Sequence, residues 1–288
     1  MYWDRAKNFM LVFFVIANGL LAALISYETS GNTLTREREN AILAVFAQND
    51  INMYHHIIRH FAPMRPLQIA GYDYDVNRLL SIFFPSYAEI THIRDNNWEE
   101  FTWKNLRLVI SNGYISFVSG LGVTGIPDKD AAIALTGAFI DEHYPDFVLD
   151  TQSIRLARRG GIRIFYRQKY QGHLIHTNFV EFLVTGEGDY LPNISIEEVD
   201  IQYGRPIGFA YLPKELTGPD EALLTFVQNI RRQNDDPILI TQMDIVYFQT
   251  VSGLHSVYMP IYAEPFYRIF IEGQYEPFLI NAYTNRMQ

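Results

Sequence analysis

Three groups of residues in this chain have types and spacings that could do chemistry. Gly120-Leu121-Gly122-Val123-Thr124-Gly125 follows an apolar stretch and matches the G-x-G-x-x-G pattern of dinucleotide binding. In that fold the last glycine lies inside the helix that receives the pyrophosphate. Here Ile126-Pro127-Asp128 intervene and open a helix of their own, so the stretch reads as a glycine-rich turn. His55, His56 and His60 form the second group, and His56 with His60 would share one face of a helix as metal ligands. Ile51, Met53, His55 and Ile57 alternate with their neighbours, however, which favours a strand and parts the pair. With no acidic third ligand nearby in sequence, these read as surface histidines and no metal is expected. The third group is basic. With Gly160-Gly161 as a two-residue turn, Arg158 faces Arg163 across a hairpin. Like charges directly opposite destabilise a strand pair unless solvent or an anion relieves them. Arg158 and Arg163 are therefore the anion-facing candidates, against a plainly solvated face. Neither HExxH nor GxSxG occurs. No catalytic residue, cofactor or enzymatic activity is expected.

Composition bounds the elements that must position these groups. The chain has 288 residues, 48% of them apolar and 19% charged, which excludes wholesale disorder. Its 23 basic and 32 acidic residues leave a net charge of −9, against a nucleic-acid partner. Aromatics at 15% favour strands. With no cysteine there is no disulfide, thiolate metal site or cysteine nucleophile.

Residues 9–27 are apolar and uncharged, with Arg5 and Lys7 before them and Glu28 after. As a helix they would reach about 28 Å, close to the thickness of a membrane's hydrocarbon core. Trp3 and Tyr27 stand where interfacial aromatics are expected. The expectation is an uncleaved single-pass anchor in the cell membrane, amino terminus cytoplasmic and carboxyl-terminal ectodomain extracellular.

Beyond it, Thr35 can cap a helix carrying Ile42, Val45 and Phe46. From Leu106 an order of glycine, helix and strands occurs twice, with helices opening at Pro127-Asp128 and Pro219-Asp220. The fold class expected is α+β: a transmembrane helix, then two similar units, each an antiparallel meander packed on one helix. The divisions are 1–27 for the cytoplasmic start and membrane helix, 28–105 for a linker helix and first ectodomain segment, 106–203 for one unit and 204–288 for the other.

Trp3-Asp4-Arg5-Ala6-Lys7 before an apolar helix is one of five segments that run in family order. The others are Leu106-Arg107-Leu108-Val109-Ile110-Ser111-Asn112-Gly113, Tyr166-Arg167-Gln168-Lys169-Tyr170-Gln171-Gly172, Ala263-Glu264-Pro265-Phe266-Tyr267-Arg268-Ile269 and Ile280-Asn281-Ala282-Tyr283-Thr284. In these segments the chain resembles the YycI family. The resemblance implies a non-enzymatic regulator of a two-component sensor histidine kinase, WalK/YycG-like, that controls cell-wall metabolism together with a YycH-like protein. It implies no catalytic residues. Its candidate contact is the apolar helix, on which Phe14, Asn18, Gly19 and Leu21 offer a face for close packing and an interhelical hydrogen bond. The alternative is an anchored extracellular module that binds a peptide or anionic polymer and uses the helix as a passive tether.

Overall fold

Alternating apolar and polar residues mark many of the strands, and the long ones pair mainly with their neighbours in sequence. The computed structural model describes residues 7, 10, 13–19, 32–71, 74–86, 88–96, 98–111, 113–120, 122, 125–158, 160–186, 193–210, 212–232, 236–250 and 260–288. Helix α1 (Arg36–Gln48) is followed by β1 (Ile51–Met53), β2 (Leu67–Ala70) and α2 (Val76–Phe83). A run of four strands comes next: β3 (Thr91–Arg94), β4 (Trp98–Trp103), β5 (Leu106–Ser111) and β6 (Tyr114–Val118). Helix α3 (Lys129–His143) leads to β7 (Phe147–Leu149), β8 (Arg155–Leu156), β9 (Ile162–Tyr170), β10 (His173–Gly186), β11 (Ile194–Gln202) and β12 (Arg205–Phe209). Helix α4 (Pro219–Ile230) precedes β13 (Ile238–Phe248), β14 (Ile261–Ile271) and β15 (Phe278–Asn281).

The helix starts follow local rules. Thr35 caps α1 by accepting from the Arg38 amide at 3.3 Å, and Asp128 caps α3 through the amides of Asp130 and Ala131. Pro219 opens α4, where its missing N–H costs nothing.

The two-unit expectation fails. The described strands form one 15-stranded mixed sheet, its main path running β12-β2-β14-β13-β10-β11-β6-β5-β4-β3. Two pairings prevent a division into meanders. β1 runs parallel to β13, Ile51 opposite Ile238, and β10 runs parallel to β13, Leu174 opposite Val246. Parallel neighbours cannot come from hairpins. The protein is predominantly β, and the helices are additions to a continuous sheet rather than the centres of two repeats.

The membrane anchor also fails. Among the described residues no helix is long and apolar enough to cross a membrane. Within the expected span, residues 10 and 13–19 are described and helical. The apolar run was the whole basis of the single-pass topology and the cell-membrane placement, and both fall with it. So does the route by which that helix was to reach a kinase through the membrane. Phe14, Asn18 and Gly19 are exposed, and Leu21 lies outside the described residues. Asn18 Nδ2 donates to the Phe14 carbonyl of its own helix at 2.9 Å.

Two apolar clusters pack helices on the sheet. Ile42 and Phe46 of α1 and Leu223, Phe226 and Ile230 of α4 lie on Ile240, Tyr267, Ile269 and Ile280. Leu79 and Phe83 of α2 and Ala132 and Ile140 of α3 cover Ile164, Tyr166, Val180, Phe182, Val199 and Ile201. Because side chains alternate along a strand, the residues between these point to the opposite face. On β9 these are Arg163, Phe165 and Arg167; on β10, Phe179, Glu181 and Leu183; on β11, Glu198 and Gln202. That charged face carries the candidate site.

Candidate functional site

The expected hairpin forms with a different register. β8 pairs β9 with Arg155 opposite Arg163 and Leu156 opposite Ile162, so the connection spans residues 157–161 rather than two glycines. Ala157 donates to the Gly161 carbonyl and Gly160 to the Ala157 carbonyl, closing the longer turn. Arg158 consequently lies in the loop and does not face Arg163. It is exposed and makes no ion pair among the described residues. The like-charged pair exists, but its second member is Arg155, which the shorter turn hid.

Carboxylates from three elements relieve that pair. Arg163 donates to Glu181 at 2.7 Å and to Glu198 at 2.8 Å. Arg155 donates to Glu276 at 2.7 Å and stands 3.6 Å from the same Glu181. Burial alone would lower the Arg163 pKa, but Glu181 and Glu198 outweigh it and hold the guanidinium above its ordinary value. A groove of about 590 Å³ runs over this row, with Arg158, Leu156, Leu183 and Tyr275 also on its walls. β8 pairs only β9, so the groove follows a strand whose other edge is open among the described residues.

Beneath the groove lies a buried ion network. Asp244 of β13 is directly opposite Arg268 of β14 and accepts from it at 2.9 and 2.6 Å. Arg268 also donates to Asp150 at 2.6 Å, and Ser153 donates to the same carboxylate oxygen at 2.9 Å. Arg268 is 1% exposed, yet these two carboxylates keep its pKa above the ordinary value against the effect of burial. Arg167 is less well served. Its contact with Asp150 is 3.4 Å, and its other bond goes to the His176 carbonyl. Burial pushes its pKa down to about 10; Asp150 opposes that, and the Arg268 charge adds to it.

At His176, β10 changes neighbours. Up to Ile175 it pairs β13, from Phe179 it pairs β11, and its register against β9 shifts between those residues. Asn178 ties the shift down by donating to Gln168 Oε1 and the Gly204 carbonyl, both at 2.6 Å. Sequence reasoning missed this junction, Asp150 and Arg268 alike.

The other candidates come apart. Gly120, Gly122 and Gly125 all take positive φ, and α3 starts after them on the Asp128 cap, so no glycine reaches the helix start. His55, His56 and His60 are exposed and lie outside both helix and strand, apart from one isolated bridge at His60. Among the described residues no group of three or more metal-ligating side chains gathers.

No protein-family profile and no curated protein matches the chain. Among solved structures it is similar to the crystal structure of an uncharacterized protein from Eubacterium rectale ATCC 33656. The two share 11% identity at a TM-score of 0.50, over 83% of this chain and 88% of that one. At that identity the likeness concerns the fold alone.

Proposed function

We propose that this protein is a non-catalytic binding module whose groove along β8 receives an extended acidic peptide segment. The observation that carries this reading is Arg158, an exposed cation without an ion-pair partner among the described residues, on the wall of a groove of about 590 Å³. An extended peptide can add its backbone to the open edge of β8, which is how many sheets capture a strand. Arg155 lies on that edge strand and Arg163 on β9 beside it, while Leu156 and Tyr275 supply apolar contact. Glu198 and Glu276 on the same walls would repel a uniformly anionic polymer, so mixed charge favours a polypeptide over the polymer.

The test is fluorescence anisotropy with a labelled peptide that alternates glutamate with apolar residues and a lysine counterpart of equal length. The acidic peptide should bind with strong salt dependence, and Arg158→Glu should weaken it about tenfold or more. Equal binding of both peptides would refute the groove. Tighter binding of inorganic polyphosphate would assign it to the polymer instead.

A second reading follows from the YycI resemblance: a regulator that works with a YycH-like protein and a WalK/YycG-like kinase. What supports it is the order of the five segments along the chain. Co-expression with a YycH-like protein should then give a complex that survives purification.

A further inference from the structure

Where β10 leaves β13 for β11, the strands diverge and a second cavity of about 370 Å³ opens between them. Three residues on its wall each carry a buried polar atom with no hydrogen-bond partner among the described residues: His176 Nδ1, Thr177 Oγ1 and Gln249 Nε2. Gln249 is only 3% exposed. Buried polar groups in folded proteins are almost always satisfied, and a cluster of exceptions on one cavity wall marks a place where something else completes them. Arg167 lines the same cavity, its guanidinium over the rings of Phe165 and Phe179 at 5.3 and 5.4 Å. Its acidic neighbour Asp150 is committed to Arg268 at 2.6 Å and reaches Arg167 only at 3.4 Å.

We infer that this junction is a binding site for a compact monocarboxylate with an apolar tail. The carboxylate docks on Gln249, Thr177 and Arg167, and the tail lies against Phe179 and Phe248. Each polar group fits its role. The Gln249 amide and the Thr177 hydroxyl donate, Arg167 supplies the countercharge, and burial keeps His176 neutral, so that it adds no second cation. The charge count selects the class. Glu181 and Glu276 also line the cavity, both engaged by Arg155, and they would repel a phosphate or sulfate dianion. The volume is within the range of small-molecule sites. Arg155 and Glu276 line both this cavity and the peptide groove, but Arg167, Thr177 and Gln249, which hold the carboxylate, do not line the groove.

Calorimetry on the full chain tests it, with 3-phenylpropionate, its neutral amide and inorganic phosphate as probes. The carboxylate should bind saturably and the amide about tenfold more weakly or worse. Thr177→Val and Gln249→Met should each weaken carboxylate binding about tenfold without lowering the urea midpoint, because each removes an unsatisfied group from the ligand-free protein. The comparison of the three probes on the unmodified chain stands even where a variant folds poorly. No saturable binding of the carboxylate up to about 10 mM would overturn the site. So would equal binding of the amide, preference for phosphate, or unchanged affinity in both variants.

Discussion

Arg155 and Arg163 stand directly opposite each other on β8 and β9, and one carboxylate, Glu181, reaches both, at 3.6 and 2.7 Å. Two cations at a cross-strand position repel, so the hairpin depends on that bridge and on Glu198 and Glu276 at its ends. Glu181→Gln should cost about 1–3 kcal/mol, read as a lower urea midpoint at constant slope. The same substitution in an Arg155→Leu background should cost less, since the repulsion it unmasks is gone. Equal costs in the two backgrounds would show that the arginines do not feel each other.

The buried network beneath makes a sharper contrast. Asp150 and Asp244 both hold Arg268, but the Asp150 side chain is 4% exposed and that of Asp244 24%. Asp150 also serves Arg167 and Ser153. Asp150→Asn leaves two buried guanidinium groups short of an anion, and should cost about 3–5 kcal/mol. Asp244→Asn keeps the Asp150 contact and lets water reach the gap, so its cost should be clearly smaller. Denaturant unfolding of both variants decides the order.

How much of this could be read along the chain depends on how local each feature is. The outward row on β9 was legible, because Ile162, Ile164 and Tyr166 alternate with Arg163, Phe165 and Arg167, and only one set can face the helices. Arg163 was reached by another route, from the Gly160-Gly161 turn with Arg158 as its expected partner. Arg155 was not reached, because Gly160 and Gly161 resemble a complete two-residue turn while they end a five-residue one, and each residue of slip moves the partner. Asp150 and Arg268 are 118 positions apart and meet only through pairings made by β9, β10, β13 and β14. The single sheet was hidden likewise. The parallel pairing of β10 with β13 rests on two residue pairs, too short to leave a pattern. The anchor was read from hydropathy alone, and among the described residues no helix is long and apolar enough to cross a membrane.

Acid should destabilise the protein through β10. Burial holds the His176 pKa well below the ordinary 6.5, and the charges of Arg167 and Arg268 push it in the same direction. His173, at the start of the strand, is lowered by burial alone. A histidine whose folded pKa is depressed binds its proton more readily in the unfolded chain. Its contribution is therefore complete above 6.5 and is lost as pH falls from there toward the folded value. Within that window His176 removes up to about 1.4 kcal/mol per pH unit, and the exposed His173 removes less. Unfolding followed from pH 7 to about 5 should show the decline, and His176→Gln should flatten it by about one histidine's worth. An unchanged slope in that variant would place the titration elsewhere.

The turn between β8 and β9 offers the cleanest separation of backbone strain from collision. Gly160 and Gly161 have nearly the same φ, +90° and +92°, a region that side chains rarely enter. Their surroundings differ. A Cβ on Gly160 would come no closer than 3.5 Å to the Gly125 amide nitrogen, an ordinary contact. A Cβ on Gly161 would lie 2.6 Å from the Val184 carbonyl oxygen and 3.0 Å from the Thr185 methyl, so strand β10 itself would have to move. Gly160→Ala should therefore cost about 1–2 kcal/mol, the strain alone. Gly161→Ala should cost at least about 1 kcal/mol more, because the carbonyl it meets is backbone held in the β9–β10 and β10–β11 ladders. The consequence reaches the site, since displacing Val184 shifts the strand that presents Glu181 to both arginines. Gly161→Ala should weaken acidic-peptide binding as well as stability, whereas Gly160→Ala should change binding little once the protein is folded. Urea titration and peptide anisotropy on the two variants read both effects, and equal losses in the two would mean that the close approach to Val184 does not position the site.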